Sequence, residues 1–151
     1  MKNMLIIYHS QSGNTLKLVD WCKVGILREE AINLRTIHAP DVTLEDVINA
    51  DGILLATPEN FGTMSGLLKD FFERTYYPAR EFQLNKPYAL LISCETDGTG
   101  TDRQIQSIAS GYVLKKSLET LIVKNTEQDK MKDAVIELGQ TFAVGIVLGI
   151  F

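Results

Sequence analysis

The sequence is poor in residues that staple or anchor a chain. Its 151 residues include 2 cysteines, 4 prolines and 1 tryptophan. Cys22 and Cys94 stand far apart with no further ligand at zinc spacing, which argues against a disulfide framework and a metal site. Reduced thiols fit a cytoplasmic protein. Basic residues are not in surplus: the net charge is -4, and Lys115-Lys116 and Lys130/Lys132 are short pairs suited to solvated helix faces. A nucleic-acid partner is therefore not expected, because phosphate backbones need a concentrated basic face. The strongest apolar run, "FAVGIVLGIF" from Phe142 to Phe151, falls well short of the about 20 residues that span a bilayer. It reads as the buried end of a last helix, and no membrane partner is expected. Met1 to Tyr8 reads as a strand, not as a signal peptide.

What is present is an ordinary globular composition, 45% apolar and 23% charged. The length suits one domain over residues 1–151. Strand and helix patterns alternate along it. "MLIIYH" is almost continuously apolar, as a strand covered on both faces should be. Asn14 to Leu27 follows with helical spacing, Thr15, Leu18, Val19, Cys22 and Ile26 forming one stripe. "INLRTI" alternates and suits an edge strand. Thr43 is an N-cap, with Asp46 three residues on. "GILLAT" and "YALLISC" are two more buried strands, with Pro87 at the start of the second. Ser65 to Thr75 is a helix between them, expected to turn Leu67, Leu68, Phe71 and Phe72 inward. Asp102 to Ser117 reads as a helix, "TLIVK" as a fifth strand, and Asp129 to Val147 as the closing helix.

Such alternation implies right-handed crossovers and an α/β three-layer sandwich. The expected sheet is parallel and five-stranded, in the order 2-1-3-4-5. In that order the ligand crevice lies beyond the C-terminal ends of strands 1, 3 and 4. "HSQSGNT", "TPENFGTM" and "CETDGTG" occupy those ends and should converge on one rim.

Each loop carries chemistry. Ser10, Gln11, Ser12, Gly13, Asn14 and Thr15 join strand 1 to a helix N-terminus, whose unpaired N–H groups attract anions. Three hydroxyls add donors, and Gly13 allows close approach. The loop has no Lys or Arg, which favours a phosphate monoester over a magnesium triphosphate needing "GxxxxGK[ST]". Pro58, Glu59, Asn60, Phe61, Gly62 and Thr63 form the second loop. Phe61 either packs on a planar ligand or plugs the core. Glu95, Thr96, Asp97 and Gly98, continuing to Gly100, form an acidic third loop without an aromatic.

"SQSGNT" after an apolar strand, followed by "TPENFGTMSGLLKDFFER", resembles the flavodoxin-like FMN-binding proteins. The likeness is nearer to the NAD(P)H-dependent FMN and quinone reductase branch, the tryptophan-repressor-binding-protein type. Gly25 also matches that branch. The resemblance implies that Ser10 to Thr15 bind the FMN phosphate. It implies that Pro58 to Thr63 lie along the isoalloxazine, with N–H groups of Phe61, Gly62 and Thr63 near its N1/O2/N5 side. Glu95 to Gly98 would close the other edge. Acidic Glu59, Glu95 and Asp97, where close, would disfavour the reduced ring. The implied activity is reduction of a quinone or flavin by hydride transfer from NAD(P)H through FMN. A one-electron carrier serving a redox protein, and a flavodoxin-fold protein without redox activity, are the alternatives. Electron carriers usually sandwich the flavin between two aromatics, and the third loop here has none.

Other residues have two readings each. His9 is a proton donor or a structural partner. Cys94 is a redox group or a small hydrophobe. Leu16, Trp21, Val24, Tyr76 and Tyr77 are scattered surface apolars or one patch serving a homo-oligomer, as the resemblance implies.

Overall fold

The computed structural model describes residues 1–151. Its elements run β1 (Lys2–Tyr8), α1 (Asn14–Ile26), β2 (Ile32–His38), α2 (Leu44–Asn49), β3 (Gly52–Asn60), β4 (Thr63–Met64), α3 (Gly66–Glu81), β5 (Lys86–Cys94), α4 (Thr99–Tyr112), β6 (Leu114–Lys116), β7 (Leu121–Lys124) and α5 (Gln128–Leu148). The parallel sheet is ordered β2-β1-β3-β5, and both β6 and β7 pair with β5. This is the expected flavodoxin-like sandwich with one correction: the fifth strand position is filled by two short strands in line. Leu114–Lys116 pairs with Lys86–Tyr88, and Leu121–Lys124 pairs with Leu91–Cys94.

Alternation along the buried strands builds two cores. Leu5, Ile7, Ile53, Leu55, Leu90 and Ile92 face α2, α3 and α4, where Phe71, Phe72 and Tyr112 fill the layer. Met4, Ile6, Leu54, Ala89 and Leu91 face α1 and α5. These two helices cross closely because glycines stand at the contact. A Cβ on Gly25 would lie 1.9 Å from the Ile136 carbonyl oxygen, and one on Gly139 would lie 2.2 Å from that of Cys22. The C-terminal apolar run finishes this second core: the Phe151 ring stacks on Phe142 at 5.9 Å and lies against Gly145. No helix is long and apolar enough to cross a membrane.

Local differences from the expected elements have local causes. The helix expected over Asp102 to Ser117 ends at Tyr112, because Val113 turns left-handed at φ 65° and Leu114 then joins the sheet. The helix from Gly66 is longer than expected and carries Pro78 near its end. Its buried stripe is Leu68, Phe71, Phe72, Thr75 and Ala79, whereas Leu67, expected inside, is exposed. The Thr43 cap is a complete capping box. Asp46 N–H donates to the Thr43 hydroxyl, and the Asp46 carboxylate accepts from Thr43 N–H at 2.8 Å. Of the surface apolars, Leu16, Trp21 and Val24 lie on α1, while Tyr76 and Tyr77 lie on α3 in the opposite layer, so they form no single patch. Trp21 is half-buried, with the Lys17 ammonium 4.9 Å from its ring centre.

Candidate functional site

The first loop passes from β1 into α1 through Gly13, whose φ of 95° is a left-handed conformation that glycine adopts without strain. Gly13 is the N-cap of α1 and has no side chain of its own to cap the helix, and the first turn holds no acidic residue. The first-turn N–H groups of such a helix lack intrahelical partners and favour an anion. Ser10 braces the turn from outside, its Oγ accepting from Leu16 N–H at 3.1 Å. Asn14 Nδ2 donates to Ser12 Oγ at 3.3 Å, and Gln128 Nε2 donates to the Asn14 carbonyl at 3.2 Å. The start of α5 is thereby tied to the start of α1. Thr15 is different in kind. It is 1% exposed, and its hydroxyl pairs with that of Ser93 at 2.7 Å beneath the loop.

The second loop is a hairpin. β3 continues through Pro58, Glu59 and Asn60, and β4 returns antiparallel, Glu59 facing Met64 and Asn60 facing Thr63. Phe61 and Gly62 are the turn, with φ of 54° and 76°, the pattern of a type I′ turn. Gly62 meets that requirement freely, whereas Phe61 bears strain of order 1–2 kcal/mol. The Phe61 ring is fully exposed. It plugs no core, and a planar surface at the rim is left for a ligand.

The third loop runs from Cys94 to Gly98 and opens α4. Glu59 links it to the hairpin. One carboxylate oxygen accepts from Gly98 N–H at 3.0 Å, and the other accepts from the Thr101 hydroxyl at 2.9 Å and from Thr101 N–H at 3.3 Å. Glu59 therefore caps α4, and its charge is answered by the helix N-terminus. Met64 N–H donates to Gln104 at 2.9 Å, and a Cβ on Gly100 would lie 2.6 Å from the Gly62 carbonyl oxygen. Asp97 accepts from the Thr99 hydroxyl at 2.7 Å.

Between the loops lies a cleft of about 260 Å³. Ser12 and Asn14 line it from the first loop, Pro58 through Gly62 from the hairpin, and Glu95 and Thr96 from the third. Thr63, Asp97 and Gly98 do not line it: Thr63 and Asp97 are exposed, and Gly98 is buried with its N–H on Glu59. Ser10, Gln11 and Gly13 line a second hollow with Tyr8, Leu16 and His38, and Ser12 borders both. Three further lining residues, Ser93, Cys94 and Asn125, lie outside the expected set. The signal for Ser93 was a hydroxyl in an otherwise apolar strand. For Asn125 there was none, since it follows the edge strand, beyond the three ends expected to form the rim.

Titration follows burial. Burial first, then the Glu59 carboxylate, pushes the Cys94 thiol above its ordinary range. Asp97 adds to this and Lys124 opposes it. A protonated, buried thiol is a poor nucleophile. His9 is held below the usual imidazole range by burial and then by His38, whose ring lies 5.3 Å away. Its Nδ1 is buried without a partner. A neutral imidazole at pH 7 is a weak proton donor.

The sequence profile described as "NADPH-dependent FMN reductase" matches residues 38–125. The chain belongs to that family. This agrees with the reductase branch that the motifs resemble. Among curated relatives of this family member, a flavodoxin of Aquifex aeolicus is 36% identical over 73 residues, 48% of the chain and 40% of that protein. An NAD(P)H dehydrogenase (quinone) of Acidithiobacillus ferrooxidans is 27% identical over 128 residues, 71% of the chain and 64% of that protein. The chain thus spans less than two thirds of either relative. A solved flavodoxin from the domain Archaea superposes with a TM-score of 0.83 at 19% identity, covering 96% of the chain and 99% of its own, a likeness of fold.

Proposed function

We propose that residues 1–151 form a single domain that holds FMN without a covalent bond and serves NAD(P)H-dependent reduction of a small acceptor, a quinone or a free flavin. The observation that carries this reading is one rim where the glycine-led α1 N-terminus, an exposed aromatic at positive φ and a hydroxyl-bearing cleft floor meet. The residues present fit the group. A phosphate monoester suits N–H and hydroxyl donors with no cation beside them, and a flat ring suits Phe61.

In this reading α1 and Ser12 hold the phosphate. Phe61 and the hairpin take one side of the ring, and Glu95 to Gly98 border it. Bound FMN supplies the redox chemistry by accepting a hydride and passing it on. Glu59 stays at the α4 N-terminus and positions the hairpin, so its charge faces the helix. The third loop brings no aromatic, so one ring face is left for a nicotinamide or a quinone. Membership in the reductase family supports the enzymatic assignment. A cytoplasmic setting with reduced thiols, and a second copy of the chain as partner, belong to the same proposal through the resemblance.

A one-electron carrier serving a redox protein is the second reading, favoured by the match to the Aquifex flavodoxin. Mixing the FMN-loaded protein with NADPH separates the two. Rapid loss of the flavin's visible absorbance is expected, and an unchanged spectrum would assign the carrier role.

A further inference from the structure

The second hollow at the first loop has a volume of about 510 Å³, larger than the cleft of about 260 Å³. Its size falls within the range of about 300–1,000 Å³ typical of small-molecule sites. Ring and phosphate contacts in the cleft make no use of it. Tyr8 and His38 line it from the sheet. They are register partners at the C-terminal ends of β1 and β2, so their side chains stand on one face, the face that α1 covers. Their rings lie 5.4 Å apart, centre to centre. The His38 ring also lies 5.3 Å from that of His9, so two rings hold it in place. Leu16 lines the hollow from α1, and Ser10 and Gln11 line it from the loop. Ser12 lines both the hollow and the cleft, next to the turn that opens α1.

Two aromatic rings and a leucine suit a flat base, while hydroxyls and an amide suit the hydroxyls of a sugar. No Lys or Arg lines the hollow, so it offers nothing to a further phosphate monoester such as the 2′-phosphate of NADPH. The lining therefore fits an uncharged nucleoside. A ligand that fills cleft and hollow together must pass Ser12, where the flavin reading places the phosphate. A monoester ends at that point, whereas a pyrophosphate-linked dinucleotide continues past it, and a helix N-terminus suits a pyrophosphate as well. We propose that the hollow between Tyr8, His38 and Leu16 is a subsite for the adenosine half of FAD, so that the chain holds FAD as well as FMN. This rests on the flavin reading and extends it. The cleft takes the flavin half, the α1 N-terminus faces the phosphates, and the hollow takes the nucleoside.

Calorimetric titration of the flavin-stripped chain with FMN and with FAD tests this in the wild type, His38→Ala and His38→Phe. Thermal unfolding of each variant checks that it is folded. The wild type should bind FAD at least as tightly as FMN. His38→Ala should weaken FAD by roughly three- to ten-fold, the value of one aromatic contact, and leave FMN unchanged. His38→Phe keeps a flat ring and should restore FAD. NADH carries the same adenosine, so a second arm mixes the FMN-loaded proteins with limiting NADH, and equal rates of flavin bleaching in wild type and His38→Ala are expected. A slower rate in His38→Ala with unchanged FAD affinity would overturn the assignment to FAD and give the hollow to the nicotinamide dinucleotide. A wild type that binds FMN but refuses FAD, or a His38→Ala that weakens both flavins equally or neither, would overturn the subsite. A wild type that binds neither flavin would overturn the flavin reading itself, a distinguishable result.

Discussion

Glu59 and Gly98 join the two walls of the cleft: the Glu59 carboxylate accepts from Gly98 N–H at 3.0 Å, across 39 positions of sequence. With Thr101, the same carboxylate closes the first turn of α4. Glu59→Ala removes a charged cap and should cost about 1–2 kcal/mol of stability. The hairpin should also loosen, weakening FMN and lumiflavin alike because the ring wall moves. Urea unfolding and flavin titration measure the two effects. Unchanged stability would show that the cap is idle.

Phe61 sets stability against binding. Its φ of 54° suits glycine, and its exposed ring packs on nothing in the protein. Phe61→Gly should leave the fold as stable or stabilise it by up to about 1 kcal/mol, relief of left-handed strain outweighing the added freedom of the unfolded chain. The same change should weaken FMN by roughly three- to ten-fold, the value of an aromatic contact. A denaturation midpoint that falls well below the wild type would contradict the account of strain.

The phosphate contacts separate by ligand. Ser12→Ala should weaken FMN much more than riboflavin, since only FMN carries the anion. Thr15→Ala should cost about 1 kcal/mol of stability, because Ser93 loses its partner in a buried site. Equal loss for FMN and riboflavin in Ser12→Ala would remove the phosphate role.

Asp46 gives the fold a pH dependence of known sign. Burial alone would raise its pKa. The N–H and hydroxyl of Thr43 and the charge of Arg35 override that and hold it below its ordinary 3.8. A carboxyl with a depressed folded pKa adds stability that is fully present above the unfolded value. That stability is lost as pH falls through the folded value, because the unfolded chain then binds the proton more readily. Asp46→Asn should cost about 1 kcal/mol at pH 7, and the gap to the wild type should close as pH falls below about 4. Unfolding curves across that range check it.

Much of this architecture is legible in the sequence because it rests on burial. Nearly continuous apolar strands such as "MLIIYH" and "GILLAT", and the stripe from Thr15 to Ile26, follow from faces that must be covered. The three loops also follow, because strand ends in such a sheet share a rim. What the sequence hides is decided at long range. "PEN" looks like a loop, since Pro58 and Asn60 are weak strand formers, yet pairing with β4 and β5 extends β3 through it. Leu114 to Lys116 continues a helical pattern until the β5 edge captures it. Glu59 looks like a charge aimed at a ligand, and only the approach of α4 makes it a cap. Ser93 sits in a strand that reads as pure core, and its pairing with Thr15 spans 78 positions. Asn125 follows β7, beyond the three strand ends expected to form the rim, and nothing in the sequence marked it for the cleft it lines.

FMN titration of the purified, flavin-stripped chain tests the central claim most directly. Saturable quenching of FMN fluorescence, one flavin per chain, with a yellow protein that retains its colour through desalting, is the predicted result. A chain that stays colourless and leaves FMN fluorescence unquenched at saturating flavin would contradict it.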